Sequence, residues 1–267
     1  MLVVIKGAGD IATGIALRLW HARLHVVMTE LAQPTAIRRT VSFCQAVTHG
    51  QAVVEGVTAE LAQTCAAALS ILKSGHIPVL IDPKAACIRE LKPDIVVDAI
   101  LAKRNLGTML MDAPVVIGIG PGFTAGEDCH AVVETQRGHT LGRVLLEGSA
   151  LPDTGVPGNI GGYTVERILR APADGIFTQV LEIGETVEAG DTVGYVDGLP
   201  VKTEIPGVLR GILPDNTPVY KGMKSGDVDP RCKVEHCYTA SDKALAIGGG
   251  VLEAILRLTP LTSVGLR

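Results

Sequence analysis

Gly7, Gly9 and Ala12, three small residues near the amino terminus, are spaced as a phosphate cradle would space them. They stand in "LVVIKGAGDIATGIALRLW" (residues 2–20), where an apolar strand pattern runs into a helical one. In such a turn the first glycine bends the chain tightly and the second lets backbone approach a pyrophosphate. A small third residue lets helix pack on strand. The helix amino terminus, at Asp10, then offers its N–H groups and the positive end of its dipole to the phosphates. Glu30 ends the next apolar run, about 20 residues on, where a ribose-binding carboxylate belongs. The same turn would also serve merely to bend a strand into a helix, and the spacing leaves both readings open.

Other charges fall at the predicted carboxyl ends of strands, the rim at which open α/β sheets bind ligands. Asp82 and Lys84 follow one run ("IDPKA"), and Asp98, Lys103 and Arg104 follow another ("VDAILAKRN"). Arg38 and Arg39 stand near the start of a helical stretch in "PTAIRRTV". Around a bound dinucleotide Arg38, Arg39, Lys103 and Arg104 would supply positive charge, and Asp82 or Asp98 would be the candidates for chemistry. His130 and Glu134 share a strand pattern ("HAVVET"), with His139 and Arg143 nearby. Lacking a third clear ligand, they point to structural or phosphate-contacting roles rather than to metal. Cys232, His236 and Cys237 miss the C-x-x-C spacing and have no second pair, so no metal site is expected there.

The elements that must position these residues follow from periodicity. Strands are predicted over 2–6, 25–29, 52–57, 77–81, 94–97 and 114–119, and helices over 11–22, 37–47, 59–74 and 84–91, with a weaker helical pattern over 103–111 broken by Gly107. Such βαβ alternation predicts an α/β fold whose first domain is a Rossmann-like, doubly wound parallel sheet. A glycine-rich extension with short strands (131–134, 143–147) carries that domain to residue 167. Residues 168–238 have an all-β texture in two echoing halves, "APADGIF…VEAGD" and "IPGVLRGIL…VYKGMKSGD". That predicts a smaller domain like the barrel-sandwich hybrid of biotinyl and lipoyl carriers. Its hairpin tip, Asp197-Gly198-Leu199-Pro200, has no lysine, Lys202 being displaced onto the next strand, which argues against biotinylation or lipoylation. "KSGDVDPR" (224–231) reads equally as an ion-paired corner or a ligand contact. The tail, 239–267, returns to a helix capped by Ser241 or Asp242 that is expected to pack back on the first domain.

Bulk properties exclude several classes. The 267 residues are 47% hydrophobic and 3% aromatic, so the core must be built from Val, Ile, Leu and Ala. A net charge of -4 gives no electrostatic footprint for nucleic acid. No run reaches the ~18 apolar residues of a membrane span, and no secretory signal is visible. Six scattered cysteines read as reduced thiols, which predicts a cytoplasmic protein.

Taken in order, "KGAGDIATGIALRL", "TELAQPTAIRRTVSF", "VDAILAKRN", "GIGPGFTAGEDCHAVVET", "KSGDVDPR" and "SDKALAIGGGVLEAIL" resemble the YqeB family over residues 1 to about 257. These are accessory proteins of selenium-dependent molybdenum hydroxylase systems. The resemblance implies a maturation factor for hydroxylases related to xanthine or purine dehydrogenase, with a hydroxylase subunit as partner. It implies no catalytic residues. Molybdopterin dinucleotide carries a pyrophosphate as NAD(P) does, so either would suit the turn at Gly9. The expected function is therefore a maturation factor binding a nucleotide or dinucleotide at Gly7, Gly9, Asp10, Ala12 and Glu30. An NAD(P)-dependent oxidoreductase and a non-catalytic adaptor that docks the hydroxylase are the alternatives, and a homo-oligomer stays open.

Overall fold

The structure, a computed structural model, describes residues 1–260 and divides into two compact units. The first comprises Met1–Pro34, Ser42–Asp153 and, among the described residues, 240–260, and the second Thr35–Val41 and Thr154–Thr239. The division falls at 153/154, and the helix Asp242–Leu258 belongs to the first unit.

In the first unit the chain runs β1 (Leu2–Lys6), α1 (Asp10–His21), β2 (His25–Glu30), α2 (Gln45–His49), β3 (Gln51–Val54), β4 (Val57–Ala62), α3 (Cys65–Lys73), β5 (Ile77–Ile81), α4 (Cys87–Leu91), β6 (Ile95–Asp98) and β7 (Val115–Ile119). The short strands β8 (Thr124–Ala125), β9 (Ala131–Val133), β10 (Val144–Leu145) and β11 (Gly148–Ser149) follow, and α5 (Asp242–Leu258) closes the unit. Nine strands form one sheet in the order β10-β9-β7-β6-β1-β2-β5-β4-β3. Its centre is parallel, but β3 pairs antiparallel with β4 at one edge and β10 with β9 at the other. Consecutive residues Val3, Val4 and Ile5 are all fully buried, so both faces of β1 are covered.

This corrects the expected Rossmann-like, doubly wound parallel sheet to a large mixed sheet in an α/β unit. Double winding needs a helix in each crossover, and the β6–β7 and β7–β9 connections carry no α-helix. Residues 103–111 form none because Lys103 and Gly107 take positive φ, leaving one 3-10 turn at Leu110–Asp112. The helix expected over 37–47 is a 3-10 turn (Arg39–Val41) and the five-residue α2. The helix expected over 59–74 starts only at Cys65, capped by Thr64, whose side chain accepts Ala67 N–H. The residues before it return in a hairpin because Glu55 and Gly56 both take positive φ, the geometry of a tight two-residue turn.

Helices α1 and α5 pack with backbone almost touching. A Cβ on Gly14 would sit 2.5 Å from the Ala244 Cβ, and one on Gly248 would sit 2.9 Å from the Gly14 carbonyl oxygen. Glycine inside α5 weakens the isolated helix by about 1 kcal/mol per residue. Here that cost admits a neighbouring helix that larger residues would hold off. Ser241 caps α5 by accepting Ala244 N–H.

The second unit holds β12 (Ile168–Arg170), β13 (Gly175–Gln179), β14 (Thr186–Val187), β15 (Thr192–Val196), β16 (Leu199–Lys202), β17 (Gly207–Ile212), β18 (Thr217–Val219) and β19 (Lys224–Asp229). They form two four-stranded antiparallel sheets, β12-β19-β17-β14 and β16-β15-β13-β18. Each sheet takes two strands from each of the echoing halves, and this pair of sheets replaces the barrel-sandwich-hybrid-like domain that the echo suggested. Phe177, Val193, Val196, Leu209 and Val228 fill its core. The segment 35–41 joins this unit, with Ile212 N–H donating to the Ile37 carbonyl at 2.9 Å.

Candidate functional site

The first unit gathers most of the expected residues at the carboxyl ends of β2, β1 and β6. These strands flank the point where the chain stops adding on one side of β1 and starts on the other, which is where open sheets hold ligands. Gly7 takes φ +97° as β1 ends, and its N–H donates to the Thr29 carbonyl at 3.0 Å. A Cβ there would press within 3.0 Å of the Ala99 carbonyl oxygen, so only glycine suits both the angle and the approach. Gly9 then caps α1 with an extended backbone and without a side-chain hydrogen bond. A Cβ on Gly9 would meet nothing within 4 Å. The space above this helix start is open, while Ala12 behind it is buried.

Glu30 organises the turn from the end of β2. Its Oε2 accepts Ala8 N–H at 3.0 Å and its Oε1 accepts Leu31 N–H at 2.8 Å. Burial pushes its proton affinity up, and the two N–H groups only partly counter that. Both oxygens already bind backbone, so Glu30 shapes the cradle. The segment after it seals the far side: Cys44 N–H donates to the Ala8 carbonyl, and Phe43 N–H to Thr13 Oγ1 at 2.9 Å.

Next to this turn lies a buried network that the sequence reading missed. Lys6 Nζ stands 3.0 Å from Asp98 Oδ2, Thr108 Oγ1 donates to the same oxygen at 2.6 Å, and Lys6 also bonds Thr108 Oγ1. All three residues are almost wholly buried. Lys6 closes an apolar strand, and a charge there signals a partner, because burying an unpaired ammonium is prohibitive. Asn105 holds the loop that delivers Thr108, accepting its N–H and bonding Asp128 Oδ1 at 2.9 Å. Asp98 is thereby committed to Lys6 and Thr108. Asp82 is committed too, accepting Cys87 N–H at the start of α4.

Lys103 and Arg104 lie exposed on the loop after β6, and Lys103 pairs with Asp153 at 2.6 Å. Gly122, after β7, is so close to this loop that a Cβ would sit 2.6 Å from the Arg104 backbone. The loops after β1, β6 and β7 therefore adjoin. Arg38 and Arg39 belong to the second unit. Arg39 there donates to the Ile212 carbonyl and to Gln179 Oε1, and Arg38 to the carbonyls of His236 and Thr239. His130 takes a structural part, its Nδ1 accepting Val116 N–H at 3.0 Å. Glu134 accepts backbone N–H groups of Thr135, Gln136 and Leu151. Among the described residues no group of three or more His, Cys, Asp or Glu could hold a metal ion.

"KSGDVDPR" is an ion-paired corner. Fully buried Asp229 takes two hydrogen bonds from the Arg231 guanidinium, with Arg210 3.6 Å away and His236 3.8 Å away. Arg167 pairs with Asp227 at 3.0 Å. Burial alone would raise the Asp229 carboxyl, but the Arg231 bonds and the nearby arginine charges bring it down to about 2. Arg210 is also pushed down, below its ordinary range, by burial and by the charge of Arg38. Burial also raises the Cys237 thiol, which fits an inert residue.

No family model matches the chain. Over 257 residues, 96% of its length, it is 53% identical to a protein of Escherichia coli (strain K12) named uncharacterized protein YqeB. Nearly the whole of this chain is thus similar to part of YqeB. The chain spans about half the length of that relative, 48%. Among solved structures, an aspartoacylase family protein from Mesorhizobium loti is 13% identical, with 85% of this chain and 83% of that one covered at a TM-score of 0.26. A succinylglutamate desuccinylase from Silicibacter is 12% identical over 85% and 84% of the two chains at a TM-score of 0.25. At such scores the likeness carries no argument about activity. Among the described residues no helix is long and apolar enough to cross a membrane.

Proposed function

We propose that the chain is an accessory factor in the maturation of selenium-dependent molybdenum hydroxylases. Its part is to hold a nucleotide or dinucleotide, molybdopterin dinucleotide or an NAD-like molecule, by its phosphates at the turn formed by residues 7–10. The observation that carries the ligand half is the start of α1, whose N-cap Gly9 brings no side chain and faces open space at the carboxyl ends of the central strands. Lys103 and Arg104 on the neighbouring loop would add positive charge. The hydroxylase partner rests on the family resemblance.

Commitment of Asp82 and Asp98 to structural hydrogen bonds favours binding over hydride chemistry, and so favours a carrier or adaptor over an NAD(P)-dependent oxidoreductase. Native mass spectrometry of the full chain, purified gently from a selenium- and molybdenum-replete host, tests the reading. A retained pterin or adenine dinucleotide is expected. Protein that is empty and also ignores added NAD, NADP, CTP and molybdenum cofactor would overturn it. Gly9→Val locates the site, because the valine side chain meets open space and an ordinary backbone angle (φ -70°). The variant should fold normally yet lose the ligand.

A further inference from the structure

At the other end of the same sheet, where β2 begins, the first unit has a cavity of about 370 Å³. Trp20, His21, Arg23, His25, Leu72 and His76 line it. Three of the chain's seven histidines and its one tryptophan thus share a single opening. None of the described residues lining it carries a carboxylate. The Trp20 indole is held in place by donating to the Gly75 carbonyl at 3.1 Å, and the His21 ring meets it edge-on at 5.1 Å. Glu60, from β4, bonds His76 Nδ1 and orients that ring.

Arg23 adds a second observation. It sits just past α1 at φ +64°, its N–H bonded to the Trp20 carbonyl at 2.8 Å. That post-helical left-handed position ordinarily belongs to glycine, because a side chain there is strained. The chain accepts the strain and puts a guanidinium at the cavity mouth.

We propose that this cavity binds a small aryl anion, a carboxylate or phosphate borne on a flat ring. The ring lies along the Trp20 and Leu72 wall, and the charge lies among Arg23 and the imidazoles. The volume is that of a small-ligand site, roughly 300–1,000 Å³. Charge-assisted hydrogen bonds from guanidinium and imidazole N–H groups suit an oxyanion, and an aromatic wall suits a ring. The proposal is independent of the reading of the carboxyl rim.

Trp20 reports on its own site, because the emission of the chain has no other indole source. Titration of the full chain with phenyl phosphate should change that emission saturably, with a matching heat in calorimetry. Benzyl alcohol, which lacks the charge, and inorganic phosphate, which lacks the ring, should each bind about tenfold more weakly. Arg23→Gly separates binding from folding: its melting temperature should hold or rise as the strain is relieved, while phenyl phosphate binds about tenfold more weakly. Absence of both the emission change and the heat would overturn the proposal. So would equal binding of benzyl alcohol, or an Arg23→Gly protein that binds like the parent.

Discussion

Glu30 in the first unit and Asp229 in the second both accept backbone N–H groups, yet they end with opposite proton affinities. Glu30 has only peptide dipoles for company, from Ala8 and Leu31, and burial wins. Asp229 is more deeply buried, but Arg231 grips both its oxygens and Arg210 stands beside it, so the carboxyl falls to about 2. Dipoles shape a carboxylate site, whereas full charges decide its ionisation. Lys6 and Asp98 form a third arrangement, one cation to one carboxylate with a hydroxyl to complete the set.

The largest effect is expected at Asp229. Asp229→Asn keeps the shape but leaves Arg210 and Arg231 facing a neutral amide, and should cost about 3–5 kcal/mol in urea unfolding at pH 7. Because its folded value is lowered, the stability Asp229 contributes is present above the unfolded value of about 3.9 and is lost as pH falls towards about 2. The variant should lack that acid-side decline. A stability curve that keeps the same acid limb would remove Asp229 from the account.

Lys6→Met comes next, at about 3 kcal/mol, because it strands a buried Asp98. The double variant with Asp98→Asn should recover part of that loss. Strictly additive costs would mean that the pair does not act as one.

Glu30→Gln should cost about 1 kcal/mol or less, since one hydrogen bond is given up and an unfavourable charge burial disappears. Glu30 has a raised value, so its contribution is full below the unfolded value of about 4.3 and falls as pH rises through the folded one. The Gln protein should be flatter over that window. A cost as large as that of Asp229→Asn would break the contrast between dipoles and charges. Smallest of all, Lys103→Ala with Arg104→Ala should leave stability within about 0.5 kcal/mol while weakening any phosphate ligand.

Strand, turn and helix over residues 2–21 were legible because apolar periodicity and the glycine spacing agree there. The placement of Gly7 and Glu30 together followed from two neighbouring strand ends. The hairpin over 51–62 was not legible, since its apolar residues fit either period and only the paired positive φ at Glu55 and Gly56 settles the choice. The surroundings of Arg38 and Arg39 are not legible for another reason: a helical pattern gives no sign of partners, Ile212 and His236, that lie some 170 to 200 residues further along. Lys6 went unnoticed because a single charge closing an apolar strand names no partner. Thr108, which shares its site, comes from a loop that looked helical.

The assignment of 35–41 to the β unit governs how the protein is made and cut. Neither unit is one continuous piece of chain. On the ribosome, Arg39 emerges long before Ile212, its partner 173 residues later, so that part of the β unit must wait for late synthesis. The first unit waits longer still, because α1 lacks the covering helix until Asp242–Leu258 has been made. A clone ending at Asp153 would therefore leave a bare helix face on one fragment and take residues 35–41 from the other. Production of either part alone calls for a rejoined or permuted chain.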